Sequence, residues 1–412
     1  MQKIFTFIKQ YARALTLALL GVLVLLIALG GIGYAYEHGV FGGKPQSIHG
    51  YAQLMVDRCA KAAYRPTCYE NEVPKLVTDL TMPQIFDVIR EIRKIDPDYL
   101  YCHVLAHKLG TYEVSLDPNN WLNAVAEGPT DGLCSNGFAH GAILTRFHDE
   151  QLTKDQFDYA VGELSNACEE REGWHPTDLT KAMCYHGLGH VLIFMSEANV
   201  SAALAGCEKV ALKSDGRDYR QLCTEGVYMQ LYQPLEPEDY ALIDKLPLKP
   251  TKDDLKQFCS QNSANDAQYG ACWREGWPVI GADIKSGKGI TAHCDQLTAA
   301  QGKDLCFISL VTINGRQNLG TPDNMVRVCS EMDDAHKGMC FARGANAYLE
   351  EDPQLVPQGV ALCARADTQA AQDECYGFLA NVASFNFGAG SPAFVKLCSL
   401  LPSKWQGACK SQ

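Results

Sequence analysis

The chain has 412 residues, a formal net charge of −12, 47% hydrophobic residues and 20% charged residues. This composition is typical of a folded protein and excludes an intrinsically disordered chain. The acidic balance argues against a nucleic-acid partner and against binding to an anionic membrane surface.

The N-terminal segment has the pattern of a membrane anchor. Residues 14–36 are Leu-rich and almost uncharged, long enough at about 1.5 Å per residue to cross a bilayer core of about 30 Å. Lys3, Lys9 and Arg13 precede this stretch and favour a cytoplasmic N-terminus. We therefore expect a cytoplasmic segment over residues 1–13, a single transmembrane helix over 14–36, and a periplasmic or extracellular remainder. A cleaved signal peptide is the alternative, although its apolar region is usually only about 7–15 residues long.

Beyond the anchor, composition divides the chain into four parts. Residues 37–47 are Gly-rich and are typical of a linker. Helical repeats that carry most of the histidines are expected over residues 48–233. A Pro-rich excursion over 234–254 separates them from His-poor helical repeats over 255–412.

The cysteines define a repeat. In the last third of the chain they form two interleaved series with steps of 34 or 35 residues. A period near 34 is the length of one helix-turn-helix unit of a solenoid. The same frame extends backwards with looser spacing, and Cys59 with Cys68 resembles an early copy. The two series are Cys294, Cys329, Cys363 and Cys398, and Cys306, Cys340, Cys375 and Cys409.

Eighteen cysteines in a segment predicted to lie outside the cytosol indicate disulfides rather than a thiolate metal cluster. We expect each bond to join the two cysteines across an interhelix loop, and Cys102 then remains to pair with Cys134. Spacing alone does not fix this connectivity. The expected loop-spanning pairs are Cys168–Cys184, Cys207–Cys223, Cys259–Cys272, Cys294–Cys306, Cys329–Cys340, Cys363–Cys375 and Cys398–Cys409.

From Cys168 to Cys409 the period, helix pattern and cysteine placement resemble the tetratricopeptide and Sel1-like repeat families, most closely the cysteine-rich secreted Sel1-like proteins. The resemblance implies a right-handed superhelix with a concave inner face and no particular reaction. The expected fold is thus all-α, a disulfide-stapled α/α solenoid behind one transmembrane helix.

Five of the eleven histidines fall at equivalent positions of neighbouring repeats. Residues four apart lie on one helix face, so each His-x-x-x-His pair can hold one ion or anionic group. Gly137, Gly187 and Gly226 form a third column and suggest close backbone approach, because glycine is otherwise unfavourable in helices. The corresponding helices after Cys306, Cys340 and Cys375 carry no His, so the scaffold does not require imidazole. The two polar columns contain His103, Asn136, His186 and Glu225, and, one turn later, His107, His140, His190 and Met229.

This pattern predicts a metal site formed by His103, His107, His140, His186, His190 and Glu225. Imidazole with carboxylate suits a divalent transition metal such as Zn, Fe or Cu. Four helices at 8–10 Å spacing span roughly 30 Å, so one ion cannot use the whole panel. One ion held by a subset, or two ions, are both left open.

Three functions follow as hypotheses. The first is a membrane-anchored metalloprotein that acts as a metal-dependent hydrolase or oxygenase. The second is a non-catalytic solenoid that binds a peptide or cell-wall fragment on its concave face. The third is metal capture or delivery. The sequence does not decide whether the protein is an enzyme.

Overall fold

The computed structural model is helical throughout the part of the chain that it describes, which confirms the predicted all-α class. In place of strands, these residues form only two isolated bridges, Arg171 with Trp174 and Leu212 with Asp218. The predicted anchor over 14–36 and most of the linker over 37–47 lie outside the described residues. The described ranges are 45–99, 102–131, 133–147, 152–234, 237–246 and 251–411.

Within these ranges no helix combines the length and the apolar character needed to span a bilayer. The anchor over 14–36 stays a prediction, because that segment lies outside the same ranges.

The contacts of the chain divide between Tyr99 and Leu100 into two units. In the first unit, a disulfide joins Cys59 at the end of one helix to Cys68 in the next. The buried Asp96 accepts a 2.7 Å hydrogen bond from the hydroxyl of Tyr69 and pairs with Arg65 at 2.9 Å. The helices are α1 (Ile48–Cys59), α2 (Arg65–Glu72), a 3-10 helix (Val73–Thr78) and α3 (Met82–Ile95).

The described part of the second unit contains nine main helices, each of which begins just after, or carries, a disulfide cysteine. Each main helix packs against the next along the chain. They are α4 (His103–Leu116), α6 (Gly137–Phe147), α8 (Asp178–Met195), α10 (Arg220–Tyr232), α13 (Asp266–Glu275), α15 (Ala300–Gln317), α17 (Asp334–Glu351), α19 (Gln369–Asn381) and α22 (Ser403–Lys410).

Shorter connecting helices lie between the main helices. Most of those after residue 200 end at or near the first cysteine of the following disulfide, so the bond ties each connecting helix to the next main helix. They are α5 (Trp121–Ala126), α7 (Lys154–Leu164), α9 (Val200–Val210), α11 (Pro237–Ile243), α12 (Leu255–Gln261), α14 (Gly287–Cys294), α16 (Pro322–Ser330), α18 (Val356–Cys363), α20 (Ala383–Phe387) and α21 (Pro392–Leu400).

All the predicted disulfides are confirmed. The seven loop-spanning pairs, Cys102–Cys134 and Cys59–Cys68 have Cα–Cα separations of 4.9–5.6 Å, within the normal range. All eighteen cysteines lie within the described ranges, none is free, and each is buried except Cys68, which is partly exposed. Small loops closed in this way stabilise the fold by about 3 kcal/mol each in the chain-entropy model.

The row of main helices curves back on itself. Helix α17 contacts the 3-10 helix Leu133–Asn136, and α20 contacts α8, although these elements are far apart in sequence. In an open solenoid each repeat touches only its neighbours. The return contacts are therefore a departure from the open concave arrangement that the Sel1-like resemblance implies.

A continuous hydrophobic core runs through the second unit, from Val114 to Cys409, and includes residues on both sides of the Pro-rich excursion. The predicted boundaries at residues 233 and 254 therefore do not interrupt the core, and as domain limits they stay predictions.

Candidate metal site

The five predicted histidines lie together on three successive main helices. His103 and His107 belong to α4, His140 to α6, and His186 with His190 to α8. Ring centroids are separated by 5.2 Å for His103–His140, 5.5 Å for His140–His190 and 5.1 Å for His186–His190. The His103–His107 and His140–His186 separations are 6.4 and 6.3 Å. Neighbouring imidazoles from the three helices are therefore in ring contact, and we call these five residues the histidine cluster.

Glycine allows the helices to approach closely at the cluster. A Cβ added to Gly137 would lie 2.3 Å from the backbone oxygen of His103, and one added to Gly226 would lie 1.9 Å from that of His186. Real Cβ atoms do not come so near to other atoms, so only glycine fits at these positions. The predicted close backbone approach is confirmed at Gly137 and Gly226.

Gly187 plays a different part, because it faces a side chain. A Cβ there would lie 2.3 Å from Cδ2 and 2.7 Å from Nε2 of His140. The imidazole of His140 is 6% exposed and packs against the bare backbone of α8. Gly187 thus sets the position of the central ring of the cluster.

His190 presents a free lone pair. Its Nδ1 lies 2.5 Å from the amide oxygen of Gln230 on α10, so Nδ1 carries the proton and donates it. Its Nε2 is buried and has no hydrogen-bond partner among the described residues. A ligand histidine is held in the same way, with one nitrogen fixed by an outer acceptor and the other directed at the metal.

The other rings have identified neighbours. His140 Nε2 donates to the backbone oxygen of Met183 at 3.1 Å. His186 Nε2 lies 3.1 Å from the thioether sulfur of Met229. For His103, a hydrogen bond with the backbone of Cys134 acts on its pKa. These contacts hold the rings in place across α4, α6, α8 and α10.

All five imidazoles are neutral at pH 7. Burial, and after it the charge of neighbouring imidazoles, lowers the pKa of His107 to about 4 and that of His140 to about 3. Burial lowers the pKa of His190 to about 4, although the hydrogen bond with Gln230 acts in the opposite direction. Burial followed by repulsion from neighbouring rings holds the pKa of His103 and His186 well below the usual value. Neutral imidazole is the form that binds metal ions.

Glu225, the predicted carboxylate ligand, takes part in an ion pair. Its Oε1 pairs with Nη2 of Arg274, a residue that is 1% exposed, and accepts a 3.1 Å hydrogen bond from Gln221. Burial and the charge of Glu225 raise the pKa of the neighbouring Glu275 to about 8. Glu225 is therefore engaged in a buried charge network, and its part in a metal site stays a prediction.

Sequence reasoning missed Arg274 and Gln230. Arg274 stands two residues after Cys272, as His186 does after Cys184 and Glu225 after Cys223. Extending the alignment of repeats by one unit would therefore have placed Arg274 in the same column. No comparable signal marks Gln230, because its role depends on how α10 packs against α8.

Among the residues that the structure describes, no three His, Cys, Asp or Glu side chains are arranged to hold one metal ion. The five rings are close neighbours, but their nitrogens are turned toward different partners.

No known protein family matches the chain, and no curated protein or solved structure is significantly similar to it. The resemblance to Sel1-like and tetratricopeptide proteins is compatible with the helical fold and its disulfides, and rests on repeat length and cysteine placement.

Proposed function

We propose that the histidine cluster binds a transition metal ion, Zn, Fe or Cu, and that the chain is a membrane-anchored, extracytoplasmic metal-binding protein. The observation that carries this proposal is the buried Nε2 of His190, which lacks a partner among the described residues and lies among neutral imidazoles. A buried polar atom without a partner costs about 1–3 kcal/mol, and a metal ion in contact with Nε2 would remove that cost.

The spacing of the rings supports the proposal. Imidazoles bound to one tetrahedral ion through nitrogens at about 2.0–2.1 Å have ring centroids roughly 5 Å apart. His140, His186 and His190 have pairwise centroid separations of 5.1–6.3 Å. Binding of one ion by all three rings requires them to rotate about their side-chain bonds and requires His140 to give up its hydrogen bond with Met183. His103 and His107 would complete this site or hold a second ion.

The cellular location is proposed from the disulfides. The described residues contain nine disulfides and no free cysteine, which is the usage of an oxidising compartment. With the apolar stretch over 14–36 as an uncleaved anchor and the N-terminus in the cytoplasm, the helical units lie in the periplasm or outside the cell.

Two alternatives have less support. A hydrolase needs a general base near the ion, and the carboxylate predicted for the site, Glu225, is held by Arg274. A peptide or cell-wall fragment would need an open concave face, whereas the contacts of α17 and α20 return to the histidine-bearing region. Metal binding without catalysis is the function that the geometry supports best.

The test is metal analysis of protein purified without a His-tag and equilibrated with Zn, Fe or Cu. We expect one or two ions per chain in the wild type and a fall in His190→Ala, because that change removes the unpartnered nitrogen. His175→Ala is the matched control, since His175 is exposed and bonded to Glu170 on the surface.

Circular dichroism spectra and melting curves of the three metal-free proteins establish that each is folded before metal content is compared. Wild-type protein that retains no more metal than a histidine-free control protein would contradict the proposal. Equal metal content in His190→Ala and His175→Ala would show that the ion is bound elsewhere.

A further inference from the structure

The sulfur atom of Met229 reaches the histidine cluster. This thioether, on α10, lies 3.1 Å from Nε2 of His186 on α8. Met229 stands six residues after Cys223, as His190 does after Cys184 and His140 after Cys134. A thioether thus occupies the position that imidazole holds in the two preceding repeats.

We propose that the cluster is a copper site in which Met229 supplies a thioether ligand to Cu(I) beside His186 and His190. This inference rests on the proposed function and names its metal. In the metal-free protein, Nε2 of His186 carries a proton and directs it at the sulfur of Met229. When the ion binds, the proton of this ring is on Nδ1 instead, and the lone pairs of Nε2 and of the sulfur both point at the ion.

The distances fit an ion between these two atoms. With nitrogen at about 2.0 Å and sulfur at about 2.3 Å from a tetrahedral ion, the two ligand atoms are about 3.5 Å apart. The observed 3.1 Å separation therefore needs to widen by only a few tenths of an ångström. His190 adds the third donor, since its ring lies 5.1 Å from that of His186 and its Nε2 has no partner among the described residues.

The donor chemistry selects the ion. Thioethers are soft ligands that favour Cu(I), whereas imidazole is a common ligand of Zn, Cu, Fe and Ni. The three donors are neutral, and the carboxylate of Glu225 is held by Arg274. A site without an anionic ligand buries one charge with Cu(I) but two with a divalent ion, and uncompensated buried charge is costly. Both arguments favour Cu(I) over Zn(II).

The experiment compares Cu(I) and Zn(II) affinities under anaerobic conditions by competition with chromophoric chelators. It uses the wild type, Met229→Leu and the control Met339→Leu, which alters a similarly half-buried methionine on α17. We expect Met229→Leu to weaken Cu(I) binding by at least about tenfold and to leave Zn(II) affinity nearly unchanged. Loss of a residue that only hydrogen-bonds to a metal ligand already lowers metal affinity by about tenfold or more, so loss of a ligand should cost at least as much. Met339→Leu should bind both ions like the wild type.

X-ray absorption of the Cu(I)-loaded wild type provides a direct check, with copper–sulfur scattering expected at about 2.3 Å and lost in Met229→Leu. Unchanged Cu(I) affinity in Met229→Leu, or an equal loss for both ions, would overturn the copper assignment. Tight Zn(II) binding without any preference for Cu(I) would also overturn it while leaving the proposed function intact. If neither ion binds the wild type, the proposed function itself fails.

Discussion

At the scale of single residues, the histidine cluster depends on glycines at the points where the helices are closest. Gly187 leaves room for the ring of His140. Gly137 and Gly141 of α6 pack against the backbone oxygens of His103 and His107, where a Cβ atom would overlap with them. Each of these glycines costs helix stability by about 1 kcal/mol relative to alanine. The close packing that they permit brings imidazoles from three helices together.

Gly187→Ala tests this arrangement. The added methyl group overlaps the buried ring of His140, and overpacking of this kind destabilises by about 1–3 kcal/mol, partly offset by the better helix propensity of alanine. We expect a lower free energy of unfolding in urea together with weaker metal binding. Gly162→Ala is the matched control, because Gly162 lies in α7 with open space around its Cβ position, and it should gain about 0.5–1 kcal/mol. A gain in both variants would mean that the ring of His140 moves aside freely.

At the scale of elements, the disulfide between Cys102 and Cys134 fixes the start of α4 against the start of α6. Cys102 directly precedes His103. Cys134 has a left-handed backbone φ of 57°, a conformation that costs a non-glycine residue about 1–3 kcal/mol. The disulfide therefore ties this strained turn to the start of α4, next to the first ring of the cluster.

Removing this bond with Cys102→Ala and Cys134→Ala together should lower the free energy of unfolding by about 2–5 kcal/mol and also weaken metal binding. Removing the terminal bond with Cys398→Ala and Cys409→Ala should cost a similar amount of stability with metal binding intact, because that bond joins α21 to α22. Denaturant titration and metal titration of both double variants measure the two effects. Equal metal affinity in the two would refute the role assigned to the first bond.

At the scale of the whole second unit, ion pairs lie between helices from α10 onwards. Arg274 on α13 binds Glu225 on α10, Gln233 donates to Glu275 at 3.2 Å, and Arg316 on α15 pairs with Glu350 on α17 at 2.8 Å. The charge of Arg316 also lowers the pKa of His186, after burial and the neighbouring imidazoles. These contacts therefore lie between α10 and the helices that follow it, and Arg316 acts electrostatically on the histidine cluster.

Glu275 makes the stability of this unit depend on pH. Its pKa is raised from 4.5 to about 8, so between these values the folded chain holds a proton that the unfolded chain has released. The contribution of Glu275 to the free energy of unfolding therefore falls as pH rises from about 4.5 to 8, by at most about 1.4 kcal/mol per pH unit. Glu275→Gln should flatten the profile across this range, measured by urea unfolding at several pH values. Glu172→Gln, at an exposed carboxylate, should leave it unchanged, and parallel profiles for all three proteins would contradict the assignment.

The sequence by itself determined the repeat, the helical class and the columns of histidines and glycines, and it favoured one disulfide pairing that the structure then confirmed. These features follow from local rules, since helix geometry fixes which residues share a face and a short loop brings its two flanking cysteines near each other. For the same reason the repeat frame alone assigns His103, His107, His140, His186 and His190 to one surface.

Only the tertiary structure decided how that surface is used. The engagement of Glu225 by Arg274, the support of His190 by Gln230 and the contact of Met229 with His186 join different helices, and side-chain packing across helices leaves no period in the sequence. The return of α17 and α20 to the histidine-bearing region is likewise a sum of small rotations between successive repeats. The repeat pattern specifies each neighbouring pair of helices, whereas the accumulated curvature specifies which distant helices meet.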